Sequence, residues 1–178
     1  TFSAEKDPSL RLSIDSCDIE FTDRWQGVQH IHLEGELDDY VLRRGDGMYA
    51  YNLAVVLDDI AMGITEVIRG DDLLDTTGQQ IYLYKTLQQC LHSKHIKVPS
   101  YGHAPLLIDS EGHRLSKRQK SITIRELRDN QWSANRIVGE LAIVGGLVNA
   151  NTLNNREISI SELIKIDLNL PSLSQKTI

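Results

Sequence analysis

Long apolar runs are missing from this 178-residue chain. None approaches the roughly 20 residues a bilayer-spanning helix requires, and no basic-then-apolar opening marks a secretory signal, so the expected location is the cytoplasm. Cysteine is scarce: Cys17 and Cys90 lie far apart and form no C-x-x-C pair, which argues against a zinc ribbon or a disulfide framework. A surplus of positive charge is also missing, since 19 Lys and Arg face 25 Asp and Glu for a formal net charge of -6. Gripping nucleic acid by bulk electrostatics needs the opposite balance, so any such contact must come from local basic clusters. No G-x-x-x-x-G-K, G-x-G-x-x-G, H-E-x-x-H or G-x-S-x-G occurs, which removes the commonest nucleotide-fold, zincin and hydrolase readings.

What is present is ordinary globular composition, 40% hydrophobic and 25% charged, enough for one cored domain or a domain with a helical appendage. The alternation Leu10, Leu12, Ile14 fits an edge strand or an ordered linker. Between Phe21 and Arg44, the stretches Val28-Ile31-Leu33 and Tyr40-Val41-Leu42 read as two strands around a glycine-containing acidic turn. Leu53, Val56, Leu57 and Ile60 recur at helical spacing and predict a helix over about 49–61. Residues 64–70 then read as a strand ending at Gly70. Asp71 or Asp72 is expected to cap a following helix carrying Leu73, Leu74, Ile81, Tyr84 and Leu87, with a break at Gly78. An apolar strand is expected over 104–108, ahead of a Ser110-Glu111-Gly112 turn. This strand, helix, strand order belongs to a parallel-sheet α/β half-domain. Beyond Ser121 the pattern is helical, through Ile124 and Leu127, then Trp132 to Val144, then Ile158 to Ile166, and the tail 171–178 reads as loosely ordered.

The clearest chemical feature is the basic pentapeptide Arg114-Leu115-Ser116-Lys117-Arg118, placed after a strand and a glycine turn. Cationic side chains on such a loop suit the charge that develops on a triphosphate during transfer. The Asp58-Asp59 pair is read as structural. His30, His32, His103 and His113 lack a companion set with ligand spacing and are read as surface or packing histidines.

RLSKR resembles the second signature loop of class I aminoacyl-tRNA synthetases, in the form typical of glutamyl enzymes. DGMYAYNLAVVLDDIAMGITEVIRGDDLLDTTGQQIYLYKTL resembles the stretch in which glutamyl-tRNA synthetases bind their amino acid, and FTDRWQGVQHIHLEGELDDYVLRR the segment before it; the likeness covers about residues 20–120. It implies α/β architecture: the second half of a Rossmann-like class I catalytic domain over 1–120, a small helical stem-contact region over 121–170, and a tail over 171–178. It also implies roles. Tyr51 would contact the substrate glutamate, and Arg69 would pair with a substrate carboxylate, as a planar guanidinium does well. Lys117 would be the catalytic lysine on the ATP phosphates, with Arg114, Leu115, Ser116 and Arg118 completing the ATP loop. Arg114 stands where a lysine is often found, and Arg118 where other class I enzymes carry serine.

The family's H-I-G-H-like first signature has no counterpart in this sequence, and the chain opens at Thr1, as a truncated or processed product would. In short relatives a zinc site of cysteines and a tyrosine lies upstream of the resembling region; Cys17 has no such companions, so no zinc is expected here. About sixty residues follow the signature loop, too few for a large anticodon-binding domain. The resemblance therefore favours the glutamyl-queuosine tRNA(Asp) synthetases. It implies a parent ligase using glutamate, magnesium-bound ATP and tRNA(Asp); the alternatives are a truncated glutamyl-tRNA synthetase using tRNA(Glu), or a non-catalytic tRNA-contacting fragment. The chain alone is expected to be inactive, lacking the N-terminal half of the catalytic domain, and an exposed apolar face could pair two copies.

Overall fold

The computed structural model describes residues 8–35, 40–108, 123–166 and 176–177. Contacts divide the chain into two compact units, the first of residues 1–23, 28–69 and 73–102, the second of residues 24–27, 70–72 and 103–178.

In the first unit, β1 (Leu10–Leu12) and β4 (Tyr40–Arg43) form an antiparallel ribbon with an irregularity between Leu10 and Arg11. The edge-strand and second-strand expectations both hold there. The main sheet has the order β3-β2-β6-β5, built from β2 (Cys17–Asp23), β3 (Gly27–Leu33), β5 (Glu66–Gly70) and β6 (Ser100–Ala104). Parallel β2 and β6 register at Asp23 and Tyr101. The sequence reading does not expect β2: Cys17, Ile19, Phe21 and the buried Asp23 turn inward along it, but a cysteine and an aspartate at its two ends leave only Ile19 and Phe21 as an apolar signal. The expected strand at 104–108 is displaced. β6 begins at Ser100 and carries buried Tyr101, Gly102 and His103, while Leu107–Ile108 (β7) pairs in parallel with Lys176–Thr177 (β8) in a separate two-stranded sheet. The central position between β2 and β5 makes a polar-looking segment a strand, which no local apolar count reveals.

The helix α1 (Tyr51–Met62) forms where the periodicity places it. Val56 is buried and Leu53 and Ile60 pack on the core, but Leu57 faces solvent. Burying Val56 alone is worth about 1.5–3 kcal/mol. Gly63, with φ of 68°, ends the helix, and the Ile64 N–H closes on the Asp59 carbonyl at 2.9 Å, a left-handed cap that a Cβ would strain. The next helix, α2 (Leu74–Cys90), buries Thr77, Gly78, Gln80, Ile81, Leu83 and Tyr84. Two expectations need correction here. Asp71 and Asp72 lie in a 3-10 turn, and Leu73 takes the N-cap position with no side-chain cap. Gly78 does not break the helix: a Cβ there would stand 2.8 Å from Ile31 Cγ2, so the glycine is where α2 presses onto β3.

Besides the β7–β8 pair, the described residues 123–166 of the second unit are helical segments and turns. Thr123 and Glu126 form a reciprocal capping box on α3 (Ile124–Asp129), and Ser133 caps α4 (Ala134–Val144), each cap worth about 1 kcal/mol. Ile137, Ala142 and Val144 of α4 are buried, as is Ile158. The Trp25 indole N–H donates to the Gly145 carbonyl at 3.3 Å. Two successive residues, Asn155 and Arg156, hold positive φ of 52° and 59°, and Arg156 Nε donates to Glu140 Oε1 at 2.7 Å. The helix expected over 158–166 is reduced to the single turn α5 (Ile160–Leu163), capped by Ser159 and Glu162.

Candidate active site

Arg69, the penultimate residue of β5, is the best-anchored of the expected substrate residues. Its side chain lies over the start of α2. Nη1 donates to Gln80 Oε1 at 2.9 Å, and Nη2 donates to Thr77 Oγ1 at 2.8 Å and to the Leu73 carbonyl at 3.3 Å. Thr77 in turn donates its hydroxyl to the Leu73 carbonyl at 3.1 Å. The Arg69 guanidinium carbon stands 5.5 Å from the Tyr101 ring centre, close enough for a cation–π contribution. Tyr101 is fixed from behind by an edge-on contact with Phe21, at 5.9 Å between centroids.

The phenols of this cluster are neutral at physiological pH. Burial pushes the Tyr101 pKa up to about 12, against the opposing charge of Arg69. Burial likewise raises Tyr84, whose hydroxyl donates to Asp59 Oδ2 at 3.5 Å. The Asp59 carbonyl closes the end of α1, so this carboxylate sits within the helix-end architecture.

Tyr51 opens α1 behind an Ala50 that offers no capping side chain, and it is 60% exposed. Its neighbour Asn52 accepts from Gln80 Nε2 at 2.9 Å. The two expected substrate residues therefore belong to one unit, and the start of α1 stands two hydrogen bonds from the Arg69 guanidinium. Arg114, Leu115, Ser116, Lys117 and Arg118 lie outside the described residues, as does His113. His30 and His32 are exposed on β3 and meet Glu20 at 3.2 Å and Asp18 at 2.7 Å. His103 is fully buried, and its carbonyl accepts from Gln26 at 3.0 Å.

Sequence reasoning missed Thr77, Gln80, Asn52 and Tyr101. One signal was available: positions 77, 80 and 84 share a face of α2, and Thr, Gln and Tyr there interrupt a stripe otherwise filled by Ile81 and Leu83. Polar groups on a buried helix face need partners, and Arg69 is one.

The arrangement holds a guanidinium in a fixed orientation with aromatic backing, beside a helix start that carries an exposed phenol. Chemically, a guanidinium and a phenol so placed can bind a small carboxylate. Residues 2–175 match the catalytic domain of the class I (E and Q) tRNA synthetases. The chain is 43% identical over 143 residues to a glutamyl-Q tRNA(Asp) synthetase of Symbiobacterium thermophilum, covering 80% of this chain and 42% of that protein. It is 49% identical over 117 residues to the one of Burkholderia cenocepacia, covering 65% of this chain and 37% of that protein. Among solved structures, the glutamate-tRNA synthetase of Elizabethkingia anophelis superposes with a TM-score of 0.72 at 25% identity, covering 93% of this chain and 35% of that one. The chain thus spans about two fifths of the length of these curated relatives.

Proposed function

Because the chain belongs to the class I (E and Q) tRNA synthetase catalytic-domain family, we propose that it is part of an ATP-dependent ligase that activates glutamate and transfers it to the queuosine of tRNA(Asp). The observation that carries the glutamate reading is the anchored Arg69 guanidinium beside the Tyr51 helix start. What supports the acceptor reading is the likeness to proteins named glutamyl-Q tRNA(Asp) synthetase.

In this reading one α-carboxylate oxygen of glutamate attacks the α-phosphorus of magnesium-bound ATP in line. The bond to the bridging oxygen breaks, and pyrophosphate leaves. The modified base of the tRNA then attacks the adenylate carbonyl and AMP departs. Arg69 and Tyr51 hold the amino acid, and Lys117, with Arg114, Leu115, Ser116 and Arg118, meets the charge growing on the phosphates. Catalysis comes from positioning and charge stabilisation with no covalent protein intermediate. The first-signature half of the site is supplied by sequence outside these residues and packs on the exposed apolar face, so this chain alone is inactive. The region 121–170 serves as the stem-contact segment, and the enzyme works in the cytoplasm.

A second reading, a shortened glutamyl-tRNA synthetase charging tRNA(Glu), is favoured by the likeness to the Elizabethkingia glutamate-tRNA synthetase. The deciding experiment is glutamate-dependent ATP–pyrophosphate exchange by the complete protein containing this chain, with tRNA(Asp) and tRNA(Glu) offered as acceptors. Glutamate-dependent exchange followed by labelling of queuosine-containing tRNA(Asp) is expected; labelling of tRNA(Glu) instead selects the second reading, and no exchange with or without tRNA refutes both. In the same assay Arg69→Ala raises the glutamate KM by about tenfold or more, the value of one hydrogen bond to a charged group, and leaves the ATP KM unchanged.

A further inference from the structure

The hydrogen bonds around Arg69 have a direction imposed by chemistry. A guanidinium has donors only, so the atom of Gln80 that faces Arg69 Nη1 at 2.9 Å is its carbonyl oxygen. The other end of the same amide is then a donor, and it meets Asn52 Oδ1 at 2.9 Å. Asn52 must accept there, which turns its own Nδ2, two donors, away from Gln80. Gln80 is 2% exposed, so water is not at hand to stand in for a lost partner. Reversing its amide would set an NH₂ against the guanidinium and leave Asn52 facing an oxygen, an arrangement with two buried mismatches. The permanent charge of Arg69 thus fixes the polarity of a group on another element, at the start of α1.

Asn52 is where this relay ends. It is half-buried in the first turn of α1, directly after Tyr51, and Nδ2 finds no acceptor among the described residues. We propose that Asn52 is a substrate-binding residue of the amino-acid site, donating through Nδ2 to the acidic side chain of the bound amino acid, and that Gln80 is the positioning residue that sets its orientation. The inference rests on the glutamate-activating reading above and adds to it a basis for selectivity. Two donors locked into one polarity donate to the oxygens of a carboxylate, which only accepts. A carboxamide of the same shape must turn its own NH₂ against one of them.

Two near-isosteric changes separate this from simple packing. Asn52→Asp keeps an oxygen for Gln80 Nε2, so the link between α1 and α2 survives, but it replaces the outward donor by an anionic acceptor. Gln80→Glu keeps an oxygen for Arg69 and removes the donor that orients Asn52. In ATP–pyrophosphate exchange by the complete protein, each should raise the glutamate KM by about tenfold or more, the loss of one hydrogen bond to a charged group, with the ATP KM held within about twofold. Asn52→Asp should also narrow the preference for glutamate over glutamine by about tenfold while the melting temperature stays at the wild-type value. Wild-type glutamate KM in both variants, alongside the expected loss in Arg69→Ala, overturns the relay and leaves the glutamate reading standing. A joint rise in glutamate and ATP KM with a lowered melting temperature shows a packing role and also overturns it. A wild-type protein that activates no glutamate removes the reading itself, and the inference with it.

Discussion

Gly139→Ala sets two magnitudes against each other in the middle of α4. Helix propensity alone favours alanine by about 1 kcal/mol. The structure argues the other way, because a Cβ on Gly139 runs into the Arg156 carbonyl oxygen and lies 2.8 Å from the Arg156 carbonyl carbon and 3.3 Å from Glu157 Cα. The obstacle is main chain, so no rotamer change relieves it. That segment is tied on both sides: Arg156 bonds to Glu140 through its guanidinium, and the Ile158 N–H donates to the Asn135 carbonyl at 3.2 Å. Overpacking costs about 1–3 kcal/mol, and a rigid backbone places this case at the upper end. Subtracting the propensity gain leaves a net loss of about 2 kcal/mol. For a chain of this length each kcal/mol moves the melting point by roughly 2–4 °C, so a fall of roughly 4–8 °C is expected in a circular-dichroism melt. Adding Glu140→Ala should recover part of it by letting the Arg156 segment withdraw. A melting temperature equal to or above wild type in the single variant would refute the packing argument and leave propensity in command.

Lys117→Ala should lower the rate of pyrophosphate exchange by about 10² or more while the glutamate KM holds, as for removal of a single transition-state contact; a rate within about twofold of wild type sinks its role. For the capping box of α3, the Thr123 N–H and hydroxyl both donate to Glu126 and hold its carboxyl below the ordinary glutamate pKa. A depressed folded pKa means the stabilisation is present above the unfolded value and is lost as pH falls through the folded one. Helix stability should therefore drop on acidification below about pH 4, and Glu126→Gln should flatten that part of the profile; identical acid titrations of the two proteins would contradict it.

Much of the first unit was legible in the sequence because its signals are local. The 3-4 spacing of Leu53, Val56 and Ile60 gave α1, and the alternations at Val28–Leu33 and Tyr40–Leu42 gave β3 and β4. β6 escaped because Ser100-Tyr101-Gly102-His103 becomes a strand through the neighbours β2 and β5, which no window of sequence contains. The cap assigned to Asp71 or Asp72 failed for a related reason: the chain inserts a 3-10 turn before α2, with Arg69 bound to the Leu73 carbonyl at its end. At the candidate site, the resemblance singles out Tyr51 and Arg69, and the structure puts both in one unit. Their supports were not legible, because Gln80 and Asn52 meet only once two helices pack, and a buried amide carries no periodic signature of its own.

Gly78 ties chemistry to packing in a way that a catalogue of ligand contacts would overlook. It sits between Thr77 and Gln80 on the face of α2, and its missing side chain lets that stretch rest against Ile31. Any larger residue would lift the platform on which Arg69 is held. Under the glutamate reading proposed above, amino-acid binding would then depend on a position that has no side chain of its own.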